Sequence, residues 1–313
     1  MKTNKKYLAS ANTSVGFVNC FENINTLKNS FCYILKGGPG TGKSSLMKKI
    51  AFYFEQKGID IEYFYCSSDA DSLDGIRIKN FSVVDGTAPH ITEASMPGIK
   101  EKIVNVGAFI KEDIKINKAE IQKLMLKKSQ CFKLAYKYFS MLKTLVDIQL
   151  IKNNSKDICQ NRLTKSKKSR TLFASYISPS GFKSFYKQNS YKNVVVLNGN
   201  FIEQQKPLKE IECKLKKQNS IYTKFLSVFE PSFAEAILDQ ETNTLYVCSD
   251  AYEQTPKFKN LGLATYLTNK VSKLLSKAKY YHKKIESFYI ACMDFKKLNK
   301  VTENIIKEID NSL

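Results

Sequence analysis

Histidine, arginine and closely spaced cysteines are scarce in this sequence, and each shortage narrows what the chain can be. His occurs only at positions 90 and 282. The eight cysteines, at 20, 32, 66, 131, 159, 213, 248 and 292, include no C-x-x-C pair. With so few imidazoles and no paired thiols, neither a zinc site nor a disulfide framework is expected, and reduced, buried thiols are the natural reading. Only three residues are Arg: Arg77, Arg162 and Arg170. No run approaches the ~18 apolar residues of a membrane span. The opening MKTNKKYLAS carries charge but no apolar stretch, so no signal peptide is expected. A cytoplasmic protein with no membrane span fits these features.

What is present is a chain of 313 residues with 43% hydrophobic content, enough for sizeable cores. Net charge is +21, unevenly spread. Residues 1–100 carry 12 basic and 9 acidic side chains, residues 101–200 carry 20 and 6, and residues 201–313 carry 18 and 14. The excess therefore sits in the middle third and is almost all lysine. Such a surface can attract nucleic acid or an anionic membrane; a solvated, lysine-heavy helical face is the favoured reading.

The chain is organised around residues 33–50, YILKGGPGTGKSSLMKKI. An apolar run (Phe31 to Leu35) reads as a strand. The turn Gly37-Gly38-Pro39-Gly40-Thr41-Gly42 follows, and Lys43-Ser44-Ser45 opens an amphipathic helix that ends near Gly58. This is G-x-x-x-x-G-K-[ST] in its strand–loop–helix context, the Walker A arrangement. Glycines allow the backbone to turn its N–H groups inward as a nest for anionic oxygens. The helix begins there, with unpaired N–H groups and the positive end of its dipole facing the same phosphate. Lys43 is expected to reach the β- and γ-phosphates, and the Ser44 hydroxyl to hold Mg²⁺.

Downstream, Ile59–Cys66 reads as a strand running into SSDADSLDG, residues 67–75. That stretch reads as a loop with three carboxylates, Asp69, Asp71 and Asp74. They could orient water, hold Mg²⁺ or contact substrate, or simply decorate a solvated turn. No glutamate completes an EF-hand, so calcium is rejected. Phe81-Ser82-Val83-Val84-Asp85 is a strand ending in Asp, as in a Walker B motif, with Asp85 placed to hold Mg²⁺. His90 follows in a loop; it could sense phosphate or move a proton, or be a hydrogen-bonded structural residue. The absence of N-K-x-D in a strand–loop context disfavours a GTPase and points to adenine. L-S-G-G-Q is also missing, which disfavours an ABC-type ATPase.

Residues 100–150 carry a helical apolar stripe and suggest two antiparallel helices or a hairpin. Residues 152–170 are polar and basic and read as a linker. From 171 the sequence resembles a worn copy of its own first half. Ala9, Ser10, Gly16 and Phe17 match Ala174, Ser175, Gly181 and Phe182, each 165 residues later. VVVLNGNFIEQQKPL then occupies the place of CYILKGGPGTGKSSL, without the glycines or the Lys-Ser pair. Bulky side chains would close the nest there, and Glu203 would repel phosphate. Thr244–Asp250 takes the place of the Walker B strand, and Asn260-Leu261-Gly262 echoes Asn105-Val106-Gly107. The expected organisation is a P-loop half (1–100), a helical extension with basic linker (101–170), a degenerate half (171–255) and a C-terminal helical extension (256–313).

YILKGGPGTGKSSLMKKI, EYFYCSSDADSLDGIRI, VVDGTAPH and the NVG stretch resemble a family of uncharacterised bacterial tandem P-loop ATPases found in spore-forming Firmicutes. The resemblance covers essentially the whole chain and is strongest over residues 7–110. It implies an α/β fold in which a P-loop NTPase parallel sheet flanked by helices is pseudo-duplicated, each half bearing a helical hairpin extension. Members carry two P-loops; this chain lacks the second, so one competent nucleotide site is implied.

Three functions follow as expectations. The first is a Mg²⁺-dependent ATP hydrolase or nucleotide-driven switch. In it Gly37 to Ser45 bind ATP, Ser44 and Asp85 hold Mg²⁺, and Lys43, Asp85, Asp69 and Asp71 serve catalysis. The degenerate half would be an intramolecular partner or regulator, or the chain would act on a protein partner. The second is a small-molecule or nucleotide kinase, against which the shortage of Arg weighs, because phosphoryl clamps favour bidentate Arg contacts. The third is an ATP-regulated protein that binds nucleic acid through its basic middle, although no nucleic-acid-binding motif is recognisable.

Overall fold

A computed structural model describes residues 4–25, 29–152, 169–199, 201–256, 258 and 261–313. The chain is α/β, with two larger sheets built in succession, each accompanied by a two-stranded hairpin. The first run is β1 (Lys5–Tyr7), β2 (Ser10–Thr13), β3 (Gly16–Asn19), β4 (Phe31–Lys36), α1 (Lys43–Gln56), β5 (Ile61–Cys66), β6 (Asp69–Ile78), β7 (Phe81–Asp85), β8 (Glu101–Asn105) and α2 (Lys118–Lys152). The second is β9 (Ser169–Leu172), β10 (Ser175–Ser178), β11 (Gly181–Ser184), β12 (Asn193–Leu197), α3 (Gln205–Lys217), β13 (Tyr222–Leu226), β14 (Ala234–Asp239), β15 (Thr244–Cys248), α4 (Ser249–Tyr252), α5 (Leu261–Cys292) and α6 (Phe295–Asp310).

The two larger sheets share one topology over five strands, and β8 is added at the edge of the first. The first has the order β1-β5-β6-β7-β4-β8, and the second, read from its far edge, β9-β13-β14-β15-β12. In both, the outer pairs are parallel and the central hairpin pairs antiparallel. The β2–β3 and β10–β11 hairpins also correspond. Each turns on a glycine with left-handed φ, Gly16 at 107° and Gly181 at 97°, whose carbonyl accepts from Thr13 Oγ1 or Ser178 Oγ. The halves meet through a reciprocal bridge between matching residues. Leu8 N donates to Phe173 O and Phe173 N to Leu8 O, both at 2.9 Å. Beside it, Arg170 of β9 clasps Glu62 of β5 through both terminal nitrogens, at 2.8 and 2.6 Å.

Three expectations are corrected. The sheet is mixed, not parallel: β5–β6 and β6–β7 are joined by two-residue turns, too short for a parallel crossover. Residues 67–75 are not a loop, because β6 starts at Asp69; its Asp- and Ser-rich first half is exposed, and only Leu73 onward carries the buried pattern of a strand. Residues 100–150 are not two helices. Glu101–Asn105 pairs in parallel with β4, and one long helix, α2, follows. The basic stretch 153–168 lies outside the described residues, as does Asn260; Gly262 falls in the first turn of α5.

The hairpin partner of α2 is α5, from the other half. Buried Leu124, Cys131, Ala135, Phe139, Leu142 and Val146 on α2 recur at seven, four, four, three and four residues, and Ala264, Leu267, Val271, Leu275 and Ala278 on α5 at three or four. That seam suits two helices lying nearly parallel in axis. Ile121 and Leu124 cluster with Ile285, and Lys128 meets His282, so the helices run in opposite directions. α6 then folds back on α1, burying Leu298, Ile305 and Ile309 in the first core. Asp294 caps it by accepting from Lys296 N and Lys297 N. On α1, Leu46, Met47, Ile50, Ala51 and Phe54 are all buried, which seats the helix on the sheet; each large apolar side chain contributes ~1.5–3 kcal/mol on burial.

Candidate functional site

β4 and β7 lie side by side in parallel, with Leu35 opposite Asp85. That register delivers the acidic strand end to the start of the 37–42 loop. Gly40 and Gly42 take φ of 71° and 83°, the left-handed region that other residues enter only at a cost. Lys43 folds back into the loop it follows. Its Nζ donates to Gly37 O at 2.6 Å and Gly38 O at 2.8 Å and stands 3.6 Å from Asp85 Oδ2. Asp85 Oδ1 accepts from Thr87 N at 2.8 Å, and the Thr87 hydroxyl donates to Gly37 O at 2.8 Å. Thr41 Oγ1 closes the loop by donating to Gly38 O at 2.8 Å. Ser44 Oγ accepts from Leu73 N at 3.0 Å. Among the described residues, the amides of Gly38, Gly40, Thr41 and Gly42 donate no hydrogen bond. The loop thus gathers unspent donors and a buried ammonium beside one carboxylate. Pro39 sits at its tip and Ser45 is exposed on α1.

The C-terminal helices cover this loop, which the sequence did not announce. A Cβ on Gly40 would come within 2.6 Å of Glu286 O, and one on Gly38 within 3.1 Å of Tyr289, both on α5. A Cβ on Gly42 would meet Leu298 of α6 at 2.5 Å. The glycines are therefore needed for close packing as well as for turning. Any shift of the loop is felt directly by α5.

The second sheet holds a counterpart of this loop. Leu197 pairs with Cys248 as Leu35 pairs with Asp85, so a buried thiol stands where the carboxylate was. α3 begins with Gln205 where α1 begins with Lys43. The Gln205 amide donates to Phe201 O, inside the loop, as Lys43 donates to Gly38 O. Ser249 Oγ donates to Gly199 O at 3.0 Å, repeating the Thr87 contact. Phe201 and Ile202 are buried in the core, and a Cβ on Gly199 would come within 2.7 Å of the Gln204 and Glu203 side chains.

The three aspartates of β6 part company. Asp69 pairs with Lys279 of α5 at 2.8 Å, and Asp71 is 92% exposed. Among the described residues neither makes a hydrogen bond or ion pair with Lys43 or Asp85. Asp74 is buried, with His90 Nε2 3.4 Å from its Oδ2. Burial pushes the Asp74 carboxyl well above the usual range, and the negative charge of Asp85 adds to this. Burial also pushes the Cys66 thiol up, with Asp74 contributing, and pushes His90 down to about 4. Cys66, Asp74 and His90 converge: their ligand atoms all lie within 4.8 Å of one another. Sequence reading missed this cluster because no short spacing links positions 66, 74 and 90, and because β6 looked like a loop.

The family described as Nephrocystin 3, N-terminal matches residues 19–137. The match begins at the end of β3, includes the glycine loop, Asp85 and β8, and ends within α2. It stops short of the second sheet. Neither curated proteins nor solved structures yield a match. No helix among the described residues is long and apolar enough to cross a membrane.

Proposed function

We propose that the chain is a Mg²⁺-dependent ATP-binding protein with one competent site, acting as an ATP hydrolase or nucleotide-driven switch. The observation that carries this reading is the 37–44 segment. Four amides of this loop have no hydrogen-bond acceptor among the described residues, and α1 starts at Lys43, whose ammonium stands 3.6 Å from Asp85. Anionic oxygens entering the loop would give those amides acceptors and draw Lys43 off the Gly37 and Gly38 carbonyls. The oxygen donors at hand, the Ser44 hydroxyl and the Asp85 carboxylate, match the preference of Mg²⁺ for hard ligands. The metal would neutralise charge on the β- and γ-phosphates. The order of motifs, and the recurrence of one sheet topology in both halves, support membership among the bacterial tandem P-loop ATPases. The contacts of α5 with the loop favour the switch reading, because α5 is also the partner of α2.

Thermal melting with ATP, ADP and GTP, with and without Mg²⁺, tests the proposal. At ~100-fold excess over Kd, Mg·ATP should add ~2.7 kcal/mol of stability, and Lys43→Ala should lose that gain. Equal stabilisation of both proteins would refute the site. ADP release in the absence of an acceptor separates hydrolysis from transfer to a small molecule.

A further inference from the structure

We propose that Cys66, Asp74 and His90 form a site for a divalent transition metal, best matched to zinc, with one coordination position open. The three come from separate places: the end of β5, the middle of β6 and the segment after β7. Asp74 Oδ2 is buried and accepts no hydrogen bond among the described residues. A buried carboxylate oxygen without a partner is costly unless something satisfies it. His90 Nε2 lies 3.4 Å from that oxygen. Good N–H···O bonds are shorter, about 2.7–3.2 Å. The separation suits two atoms on one ion, since zinc bonds of about 2.0–2.1 Å place tetrahedral neighbours about 3.3 Å apart.

The imidazole is held in place on two sides. Its Nδ1 lies 3.2 Å from Ser10 Oγ, the outer partner that a ligating histidine commonly keeps. The ring stacks on Phe21 at 5.0 Å and meets the edge of Phe17 at 5.2 Å, which fixes its plane. A Ser10 acceptor leaves the lone pair of Nε2 facing the carboxylate. Thiolate, imidazole and carboxylate together favour zinc over magnesium or calcium.

The chain supplies its own comparison. Gly75 pairs with Val84, and Ala236 with Val247, so Asp74 and Glu235 occupy equivalent positions one residue earlier. Glu235 accepts a hydrogen bond of 2.7 Å from Tyr186. In the second half the buried acid is met by a tyrosine hydroxyl; in the first, the acid hydrogen-bonds the Cys66 thiol and its Oδ2 faces an imidazole without a hydrogen bond. Metal there would also brace the glycine loop, because His90 N donates to Thr87 O and Thr87 holds Gly37.

Cobalt(II) titration of the full, chelator-stripped chain tests this. One equivalent should bind, with a near-ultraviolet thiolate-to-cobalt band and visible bands of four-coordinate intensity, all removed by added Zn²⁺. Cys66→Ser should lose the thiolate band, Asp74→Asn should weaken binding, and Ser10→Ala should weaken it by about 10-fold or more. Cys213→Ser, at an exposed thiol, should change nothing. Lys43→Ala should bind cobalt normally, so failure here and failure of the nucleotide reading are distinguishable. A thiolate band that survives Cys66→Ser in a folded protein overturns the site. Should that variant not fold, the intact chain decides: a stoichiometric band supports the site, and no band overturns it.

Discussion

Replacing Glu62 by Gln tests how the two halves are joined. Burial alone would raise the Glu62 carboxyl, but Arg170 and Arg77 overrule it and hold it at about 2, against the usual 4.5. A shift of that size corresponds to about 3 kcal/mol. Because the folded value is the lower one, the contribution is complete above pH 4.5 and is lost as pH falls towards 2. Glu62→Gln should therefore be destabilised by about 3 kcal/mol at pH 7, read from urea denaturation followed by circular dichroism. The deficit should shrink on acidification between those two values, where the native carboxylate takes up its proton. Arg170→Met leaves Glu62 paired with Arg77 at 2.8 Å, so it should cost less than Glu62→Gln, up to about 3 kcal/mol. Equal stability of Glu62→Gln and the native chain at pH 7, with parallel acid profiles, would refute the reasoning.

Other outcomes follow from the same contacts. Gly40→Ala forces a left-handed residue against Glu286 O, and should cost at least ~1–2 kcal/mol in thermal or urea unfolding while weakening Mg·ATP binding. Ser44→Ala should remove the Mg²⁺-dependent part of ATP stabilisation and leave any Mg²⁺-independent part, as melting with and without chelator will show. Asp69→Asn breaks a partly exposed ion pair with Lys279 and keeps a polar side chain there, so unfolding should shift by only about 1 kcal/mol. Its ATP turnover, compared with the native rate, decides whether Asp69 takes part in catalysis.

The parts legible in the sequence were those fixed by local chemistry. G-x-x-x-x-G-K-S dictates a strand, a turn and a helix start, and β4, the loop and α1 follow it. The repeat was visible because Gly16 and Gly181 must both take positive φ, and because Leu197-Asn198-Gly199 kept its spacing. Pairing partners were not legible. Leu73, Ile76 and Ile78 belong to a strand whose first half is polar, and an aspartate-rich start looks the same in a turn. Ile103 lies among lysines at helical spacing, yet Glu101–Asn105 is held by the backbone of β4. The cover that α5 and α6 place on the loop comes from more than 200 residues away, and no local pattern encodes such a contact. The cluster at 66, 74 and 90 was hidden for the same reason.

The central claim is that a single loop, at residues 37–44, holds nucleotide while its counterpart in the second half does not. Isothermal titration of the full chain with ATP in Mg²⁺ addresses it most directly. The account predicts one ATP per chain and no measurable binding to Lys43→Ala that remains folded. Two ATP molecules per chain, or unchanged binding by Lys43→Ala, would contradict it.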